Sequence, residues 1–451
     1  MNMIDKIVAM FTPPAPIDPL PLDQIDKEYK KQRIRIFLGI FIGYGAAYLV
    51  RNNISMAIPH LIEEGIYNET QLGLLMTAIS LAYGISKFVM GNLSDRSNPR
   101  YFLALGLLIP TLIAYALGCT SWAYSNLSIL IFLMILIGWF QGMTYPPCVR
   151  VLAHWYTVKE RSLTMTVWNL SHNVGGSLVG PLATLGMLWF GTWKGLFTLP
   201  AIIVSITILL VIFLVRDTPQ SLGLPPVEEY HGNKTPNHPS STLTIEKELS
   251  SKEIFVKHIL KNRAVWFLAF ANIFVYFVRY GVLNWAPLYL QQVKGFDFKG
   301  QGLAYFIFEF SGIFSILLCG YLSSHYFKSR RVPVIVVSMI LVTFAVLGYW
   351  LNPPGNIFID DVLLATIGFL IYGPVVFIGM QAVDVVDKKA VGTATGLTGL
   401  FGYMIGTTGA NLLLGSVVHH YGWNMGFYLL IAASILSVGC LIPIWNAGGE
   451  K

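Results

Sequence analysis

Apolar residues in this sequence come in blocks of about 20 residues instead of short alternating runs. An α-helix needs about that length to cross the hydrocarbon core of a bilayer. The composition agrees, because 55% of the 451 residues are hydrophobic and only 12% are charged, about half the charged fraction of an average soluble domain. A soluble chain of this size would not cover its surface with so few charges. The sequence therefore predicts an all-α membrane protein.

The blocks form two sets of six, which predicts twelve transmembrane helices in two halves. The predicted spans of the first set are residues 36–56, 70–93, 101–120, 128–150, 162–187 and 195–215. Those of the second set are residues 264–291, 301–323, 333–351, 358–380, 390–415 and 422–446. The predicted domains are a cytoplasmic N-terminal arm (1–35), a first half (36–215), a cytoplasmic linker (216–263), a second half (264–446) and a cytoplasmic tail (447–451).

The positions of Lys and Arg predict the orientation, since basic residues keep loops on the cytoplasmic side. With the N-terminus inside, most basic loop residues are cytoplasmic and only Lys194, Lys294 and Lys299 face outward. The loop 57–70 then lies outside, and it holds three glutamates but no Lys or Arg. The proline-rich and basic N-terminal arm has no apolar core with a cleavage site, so we expect it to be retained. An even number of spans places both termini in the cytoplasm.

Two arginines lie deep in apolar sequence, Arg51 in the first span and Arg279 in the seventh. Each follows a tyrosine at helical spacing, in FIGYGAAYLVRNN and NIFVYFVRYGVLNW, which suggests duplicated halves. An arginine in the middle of a membrane costs roughly 2.5 to 3.5 kcal/mol on insertion scales, so a pair at equivalent positions needs a reason. Snorkelling or an ion pair with an acid such as Glu309 is the alternative explanation, but embedded acids are fewer than embedded bases. The planar donor forks favour a bound phosphate dianion.

Two more polar side chains lie within spans, and each has a structural alternative. Lys87 in YGISKFVMG could be a secondary site for an entering anion. The alternative is that it pairs with Glu309 or lines a water-filled cavity. His172 in WNLSHNVGG either donates to a phosphate oxygen or is satisfied by a neighbouring carbonyl. Asn169, one turn away on the same face, favours the ligand role. Neutral donors from tyrosines would complete the site, although each of these rings fits a space-filling role equally well: Tyr44, Tyr48, Tyr276 and Tyr403.

A polar connector, GNLSDRSNPR, joins the second and third spans and contains Asp95 and Arg96. We expect the Asp95 carboxylate to accept bonds from a helix N-terminus, which is typical of a gate or hinge. No GxxxxGK[ST] sequence is present, so direct ATP drive is not expected. The four cysteines lack metal-ligand spacing. The sequence therefore predicts a protein that is not an enzyme and that needs no cofactor, metal or nucleic acid.

With these residues identified, the chain resembles the major facilitator superfamily and, within it, the bacterial organophosphate:phosphate antiporters. The resemblance covers nearly the whole length of the chain. It is strongest to the glycerol-3-phosphate transporter branch. The segments that carry it are GYGAAYLVRNN, YGISKFVMGNLSDRSNPR, GWFQGMTYPPC, VWNLSHNVGG, RDTPQSLGLPPVEEY, FVYFVRYGVLNW, GFLIYGPV and GLTGLFGY.

The resemblance implies a set of roles for residues of this chain. It assigns phosphate binding to Arg51 and Arg279, the binding histidine to His172 and the supporting lysine to Lys87. It matches the nearby acid, a gating or ion-pair residue, to Glu309, and the surrounding site to Tyr44, Tyr48, Asn169, Tyr276, Tyr372 and Tyr403. It further implies alternating-access exchange of external organophosphate for internal inorganic phosphate by a monomer in the bacterial inner membrane.

The sequence departs from that branch at several places. Asn52 and Asn284 stand where Lys and Asp are usual, so both members of an ion pair between the halves are neutral together. Tyr145 stands where Trp is frequent, and the second-half connector has Ser324 and His325 where Asp and Lys are common. The choice between glycerol 3-phosphate, phosphoglycerate and hexose phosphate therefore stays open, as does a sensor on the same fold that does not transport.

Overall fold

The computed structural model describes residues 10–231, 261–327, 330–386 and 391–447. Within these ranges the chain is helical and contains no strand, which confirms the all-α fold class. The predicted linker is described only at its ends, residues 216–231 and 261–263. Its remainder, like most of the predicted tail, lies outside the described residues.

Six helical spans make up the first half of the chain. Span 1 consists of Leu22–Leu49 and Asn53–Glu63, span 2 of Glu69–Asp95, span 3 of Pro99–Cys119, span 4 of Leu127–Gln141 and Tyr145–Trp155, span 5 of Val158–Asn169 and Ser171–Phe190, and span 6 of Gly195–Leu214. Spans 1, 4 and 5 are thus each interrupted by one to three residues. Short helical turns at Trp122–Ser125, Pro219–Leu222 and Val227–Tyr230 lie between or after them.

Six further spans make up the second half. Span 7 is Arg263–Tyr289 with the π-helix Leu290–Lys294, span 8 is Phe298–His325, span 9 is Val332–Leu351, span 10 is Ile357–Asp384, span 11 is Val391–Leu400 with the π-helix Phe401–Thr407 and Thr408–Tyr421, and span 12 is Trp423–Leu441 with the turn Ile442–Ile444. The order and number agree with the twelve blocks of the sequence.

Ten of the described spans are long and apolar enough to cross a membrane. Span 2 makes an eleventh when its two pieces, which meet at an angle of 42°, are taken together. Span 5 is the remaining span of the twelve, and its first piece is polar because it carries Lys159, Glu160 and Arg161. This span is the one on which sequence analysis places His172 and Asn169.

Helix Leu22–Leu49 begins within the predicted N-terminal arm, well before residue 36. Its first turns are polar, and ion pairs from Lys30 to Asp26 and from Lys31 to Glu28 lie along its exposed side. Tyr29 on the opposite side is fully buried and stacks on Tyr230, with 3.9 Å between ring centroids. Packing against residues that follow span 6 therefore extends the helix beyond the apolar block.

Packing follows the same pattern in the two halves. Within the first half, span 2 packs on span 4, span 3 packs on span 6, and span 1 packs on spans 5 and 6. In the second half, the equivalent span 8 packs on span 10, span 9 packs on span 12, and span 7 packs on spans 11 and 12. The halves meet where span 5 packs on span 8 and span 2 on span 11. These two contacts are exchanged by a twofold axis between the halves, so a central site is built from both.

The halves close at one end of the molecule, the closed face, which carries residues 64–68 and 295–297. Span 5 touches span 8 there through glycine, since a Cβ atom on Gly180 would overlap the backbone of Gly302. The carboxylate of Glu69 also contacts Nδ1 of His419 at 2.8 Å across the halves. Glycines of spans 2, 8 and 11 near the other end, the open face, border open space: Gly91, Gly320, Gly396 and Gly399.

One arginine ties together the connectors on the open face of the first half. Nη1 of Arg150 donates to the carbonyls of Ser94, Asp95 and Ser97 at 2.6 to 2.9 Å, and Nη2 donates to Asp217 at 2.9 Å. Burial raises the pKa of the Asp217 carboxyl, and the adjacent Arg150 opposes that rise. The connector that contains Asp95 is therefore held through its backbone.

The expected capping role of Asp95 was wrong. Asn98 is the cap of span 3, since its Oδ1 accepts from the backbone N–H of Arg100 at 3.2 Å. Asn98 directly precedes Pro99 at the first helical position, which is the place from which a short polar side chain reaches the free N–H groups. Asp95 itself ends span 2, and both Asp95 and Arg96 are exposed.

Replacement of Arg150 by alanine is expected to destabilise the protein by about 3 kcal/mol, because it leaves the Asp217 carboxylate buried without its partner. The measurement is the apparent melting temperature of the purified protein in detergent. The double variant Arg150→Ala with Asp217→Asn removes both charges and should melt closer to the wild type. A single variant that melts with the wild type would contradict this role of the pair.

Lys294, which is predicted on the outer side, lies at the end of span 7 beside the closed face, but its side chain is buried. The π-helix that ends span 7 turns this lysine inward, where it is 2% exposed and its Nζ lies 3.2 Å from Oδ1 of Asp360 in span 10. Nζ also donates to the carbonyls of Tyr349 and Asn352. Paired charges with added hydrogen bonds are the form in which a buried lysine is tolerated.

Candidate anion-binding site

Irregular backbone in four spans surrounds the centre of the molecule. Span 1 breaks at residues 50–52, span 4 at residues 142–144 and span 5 at Leu170, while span 11 carries a π-helix. Arg51 lies in the first of these breaks, and Tyr403 lies in the π-helix. Interrupted membrane helices are tolerated where they line a cavity, and π-helices are frequent at functional sites.

Arg51 is 6% exposed and has aromatic rings as its neighbours. Its Cζ lies 4.4 Å from the ring centre of Tyr83 and 5.7 Å from that of Tyr48. Within the described part of the chain no carboxylate forms an ion pair with it. Cation–π contacts offset only a part of the cost of burying a guanidinium. Arg51 therefore presents a positive charge that the protein itself does not neutralise.

Arg279 is 5% exposed and is connected to a carboxylate through a tyrosine. Its Nη2 donates to the hydroxyl of Tyr372 at 2.9 Å, and that hydroxyl donates to Oε2 of Glu309 at 2.5 Å. The buried Nε of Arg279 has no hydrogen-bond partner. The direct ion pair with Glu309, which was the alternative explanation for the arginines, is thus replaced by a relay, and part of the guanidinium still lacks an acceptor.

Lys87 contributes a third cation from span 2. Its Nζ lies 4.4 Å from the ring centre of Tyr145 and 6.0 Å from that of Tyr83. The alternative partner, Glu309, accepts from Tyr372 instead. Among the described residues Lys87 has no carboxylate partner, which favours its interpretation as part of an anion site.

His172 lies between the halves, with ring centroids 5.9 Å from Tyr48 and 6.1 Å from Tyr372. Its Nδ1 contacts the backbone carbonyl of Asn169. A carbonyl only accepts, so Nδ1 carries a proton and the Nε2 atom of the neutral ring is an acceptor. The carbonyl contact considered in the sequence analysis is thus present, and Nε2 remains available to a ligand. Asn169 provides this contact through its backbone carbonyl, and its side chain is half-buried.

Four of the predicted tyrosines form two groups around the cations, and the fifth, Tyr372, bonds to Arg279. Tyr44 and Tyr48 have hydroxyl oxygens 3.3 Å apart on span 1. Tyr276 lies 5.0 Å from Tyr403 between ring centroids, and Tyr403 lies 5.3 Å from Tyr83. Since Tyr403 belongs to span 11 and Tyr83 to span 2, this contact joins the halves next to Arg51.

Asn284, one of the two neutral substitutions, belongs to a hydrogen-bond network between the halves. Asn284 accepts from Ser55 at 3.3 Å and donates to Asn411 at 2.8 Å, and Asn411 donates to Ser80 at 3.2 Å. This chain of amides and hydroxyls crosses from span 1 to span 7, to span 11 and to span 2. A neutral network thus joins the halves where the resemblance implied a charged pair.

Comparison with known proteins shows that the Major Facilitator Superfamily profile matches residues 40–410. The chain belongs to the Major Facilitator Superfamily. The glycerol-3-phosphate transporter of Bacillus subtilis is 49% identical over 439 residues, 97% of this chain and 98% of the relative. That of Haemophilus influenzae is 43% identical over 459 residues and 95% of each chain.

A crystal structure of a bacterial homologue of the human lysosomal transporter Spinster, in an inward-facing and unoccupied conformation, matches this fold with a TM-score of 0.70. It is 16% identical and covers 92% of this chain and 95% of its own. At that identity the likeness concerns the fold alone. These findings confirm the resemblance to the superfamily, whose members are transporters and not enzymes.

Several residues that line the site of this superfamily member were not predicted from the sequence. Tyr280 lies beside Arg279, with 4.9 Å from its ring centre to the guanidinium carbon. Tyr83 precedes Lys87 by one helical turn, and that spacing was the available signal. Tyr145 was noted only as a departure from the family, but its ring faces Lys87 and lies 5.8 Å from Tyr44.

Proposed function

We propose that this protein exchanges an external organophosphate, in the first place glycerol 3-phosphate, for internal inorganic phosphate by alternating access. The observation that carries the proposal is the pair Arg51 and Arg279, one from each half, of which neither has a direct carboxylate partner among the described residues. A phosphate dianion supplies the missing charge and the missing acceptors. The names of the two relatives from Bacillus subtilis and Haemophilus influenzae support glycerol 3-phosphate as the organic substrate.

Phosphate binds between the halves in this proposal. Its oxygens accept from the guanidinium groups of Arg51 and Arg279, and Lys87 attracts the anion as it enters. Nε2 of His172 accepts from a hydroxyl of the phosphate or of the organic part. The tyrosine hydroxyls offer neutral donors, and their rings give apolar contact to the carbon chain.

Binding lowers the barrier between the two states because the anion contacts both halves at once. Without an anion, the charges of Arg51 and Arg279 stay uncompensated, which disfavours closure of the halves. The empty protein therefore reorients slowly, and exchange is favoured over net transport. The closed face and the open face correspond to the outside and the cytoplasm in the predicted orientation, so the structure represents an inward-open state.

The proposed location is the bacterial inner membrane, with both termini in the cytoplasm. Both arginines, the lysine and the histidine come from one chain, so a monomer has a complete site. The orientation rests on the basic residues of the loops. A reporter that is active on only one side of the membrane, fused to either terminus, tests this orientation.

Uptake of labelled glycerol 3-phosphate into proteoliposomes tests the proposed exchange. Vesicles loaded with inorganic phosphate should take up label at least about ten times faster than vesicles loaded with chloride, because only an anion that fits the site speeds the return step. Equal uptake in both would contradict antiport. The absence of uptake in both, with ligand binding intact, would favour a sensor on the same fold. Competition by glucose 6-phosphate and 3-phosphoglycerate ranks the alternative substrates.

A further inference from the structure

The charges around the site add up to an excess of two positive units. Arg51, Lys87 and Arg279 are cations, and among the described residues Glu309 is the acid that Tyr372 connects to Arg279. His172 counts as neutral because the nearby cations Arg279 and Lys87 disfavour a second proton on its ring. Asn52 and Asn284 add no charge.

Glu309 is held in place at the contact between the halves. It is 2% exposed, and Tyr372, the donor to its carboxylate, is fully buried. Because Arg279 donates to the same hydroxyl oxygen, the single proton of Tyr372 points to Glu309. On the other side Gly176 of span 5 leaves room for the carboxylate, since a Cβ there would lie 2.9 Å from Oε2.

We propose that Glu309 selects the charge of the substrate: its carboxylate limits the site to two net positive charges, so that dianionic phosphate esters are accepted and esters with an added carboxylate are rejected. This inference rests on the proposed function and names the class of substrate within it. It concerns Glu309 as a specificity residue, which acts through Tyr372 and Arg279 as well as directly on the anion.

A phosphate monoester carries close to two negative charges above neutral pH, and a carboxylate adds a third. A dianion therefore brings the closed site to zero net charge, while a trianion leaves one negative charge buried as the halves close. An uncompensated buried charge is unfavourable, and Glu309 also repels it. Glycerol 3-phosphate and hexose phosphates belong to the first class, whereas 3-phosphoglycerate belongs to the second.

Calorimetric binding of glycerol 3-phosphate and 3-phosphoglycerate at pH 8 to the purified full chain tests this directly. The wild type should bind glycerol 3-phosphate at least about tenfold more tightly than 3-phosphoglycerate. Glu309→Gln should reduce that ratio by about tenfold or more, because a like charge near the anion is removed. Glu309→Asp retains the charge and should retain the preference. A wild type without preference, or Glu309→Gln with an unchanged ratio, would overturn the inference.

A second variant keeps the test independent of the folding of Glu309→Gln. Asn52→Lys adds one positive charge beside Arg51 and should also admit 3-phosphoglycerate, whereas the neutral control Asn52→Gln should not. An unchanged ratio in Asn52→Lys would overturn the charge count. Failure of the proposed function is seen separately, as the absence of phosphate-dependent uptake in vesicles, since the binding ratio is measured without transport.

Discussion

Replacement of Arg51 by lysine is expected to lower phosphate exchange at least about 100-fold, although the positive charge is kept. A guanidinium can donate two parallel hydrogen bonds to an anion, whereas an ammonium is a compact point charge without that planar donor pair. Each charge-assisted bond contributes roughly 1.5 to 3 kcal/mol. Arg279→Lys should have a similar effect, and it also disrupts the bond to Tyr372. The measurement is the initial rate of labelled phosphate exchange in proteoliposomes.

The matched control is Arg263→Lys, which makes the same change at an exposed arginine at the start of span 7. It should exchange phosphate at the wild-type rate. Gel filtration and melting temperature establish that all three variants fold. Exchange by Arg51→Lys or Arg279→Lys within twofold of the wild type would exclude the guanidinium pair as the phosphate site.

Replacement of Gly180 by leucine is expected to lower exchange roughly 100-fold by a different route, since overpacking of a close contact costs about 1 to 3 kcal/mol. A side chain at this position overlaps the backbone of Gly302, so spans 5 and 8 cannot approach and the closed face cannot form. The site residues are untouched, so phosphate should still bind. The protein should instead populate the state in which the present closed face is open.

Labelling of a cysteine at position 80 reports that state. Ser80 is 5% exposed and bonds to Asn411 across the halves, so Ser80→Cys should react slowly with a thiol reagent in an otherwise wild-type background. Addition of Gly180→Leu should speed its modification, read by mass spectrometry of the peptide. The control Gly439→Leu adds the same side chain where nothing lies within 4 Å. Equal labelling in both variants would contradict the assignment of the closed face.

Hydropathy was sufficient for the number and order of the spans, because apolar length is a local property of the sequence. The bounds were less accurate where tertiary contacts extend a helix, as at Leu22, or turn a side chain inward, as at Lys294. The interruption of span 5 at Leu170 and the π-helix of span 11 leave little mark in hydropathy. Backbone departures of this kind depend on neighbouring spans that satisfy the freed groups.

The central cations of the site were predictable because a charge deep in an apolar block is conspicuous. The hydrogen-bond partners of these cations were not predictable from the sequence. Tyr372 joins Arg279 and Glu309 across separations of 93 and 63 residues, and no local pattern encodes such a contact. The neutral network of Asn284 is a similar case, since Ser80 and Asn411 are ordinary polar residues until the packing of spans 2 and 11 brings them together.

A structure of the protein determined with inorganic phosphate is the sharpest test of the proposal that one anion is shared by the two halves. We expect phosphate oxygens about 3 Å from guanidinium nitrogens of both Arg51 and Arg279, the distance of a charge-assisted hydrogen bond. Phosphate that contacts only one arginine, or that binds away from both while Glu309 pairs directly with Arg279, would contradict it.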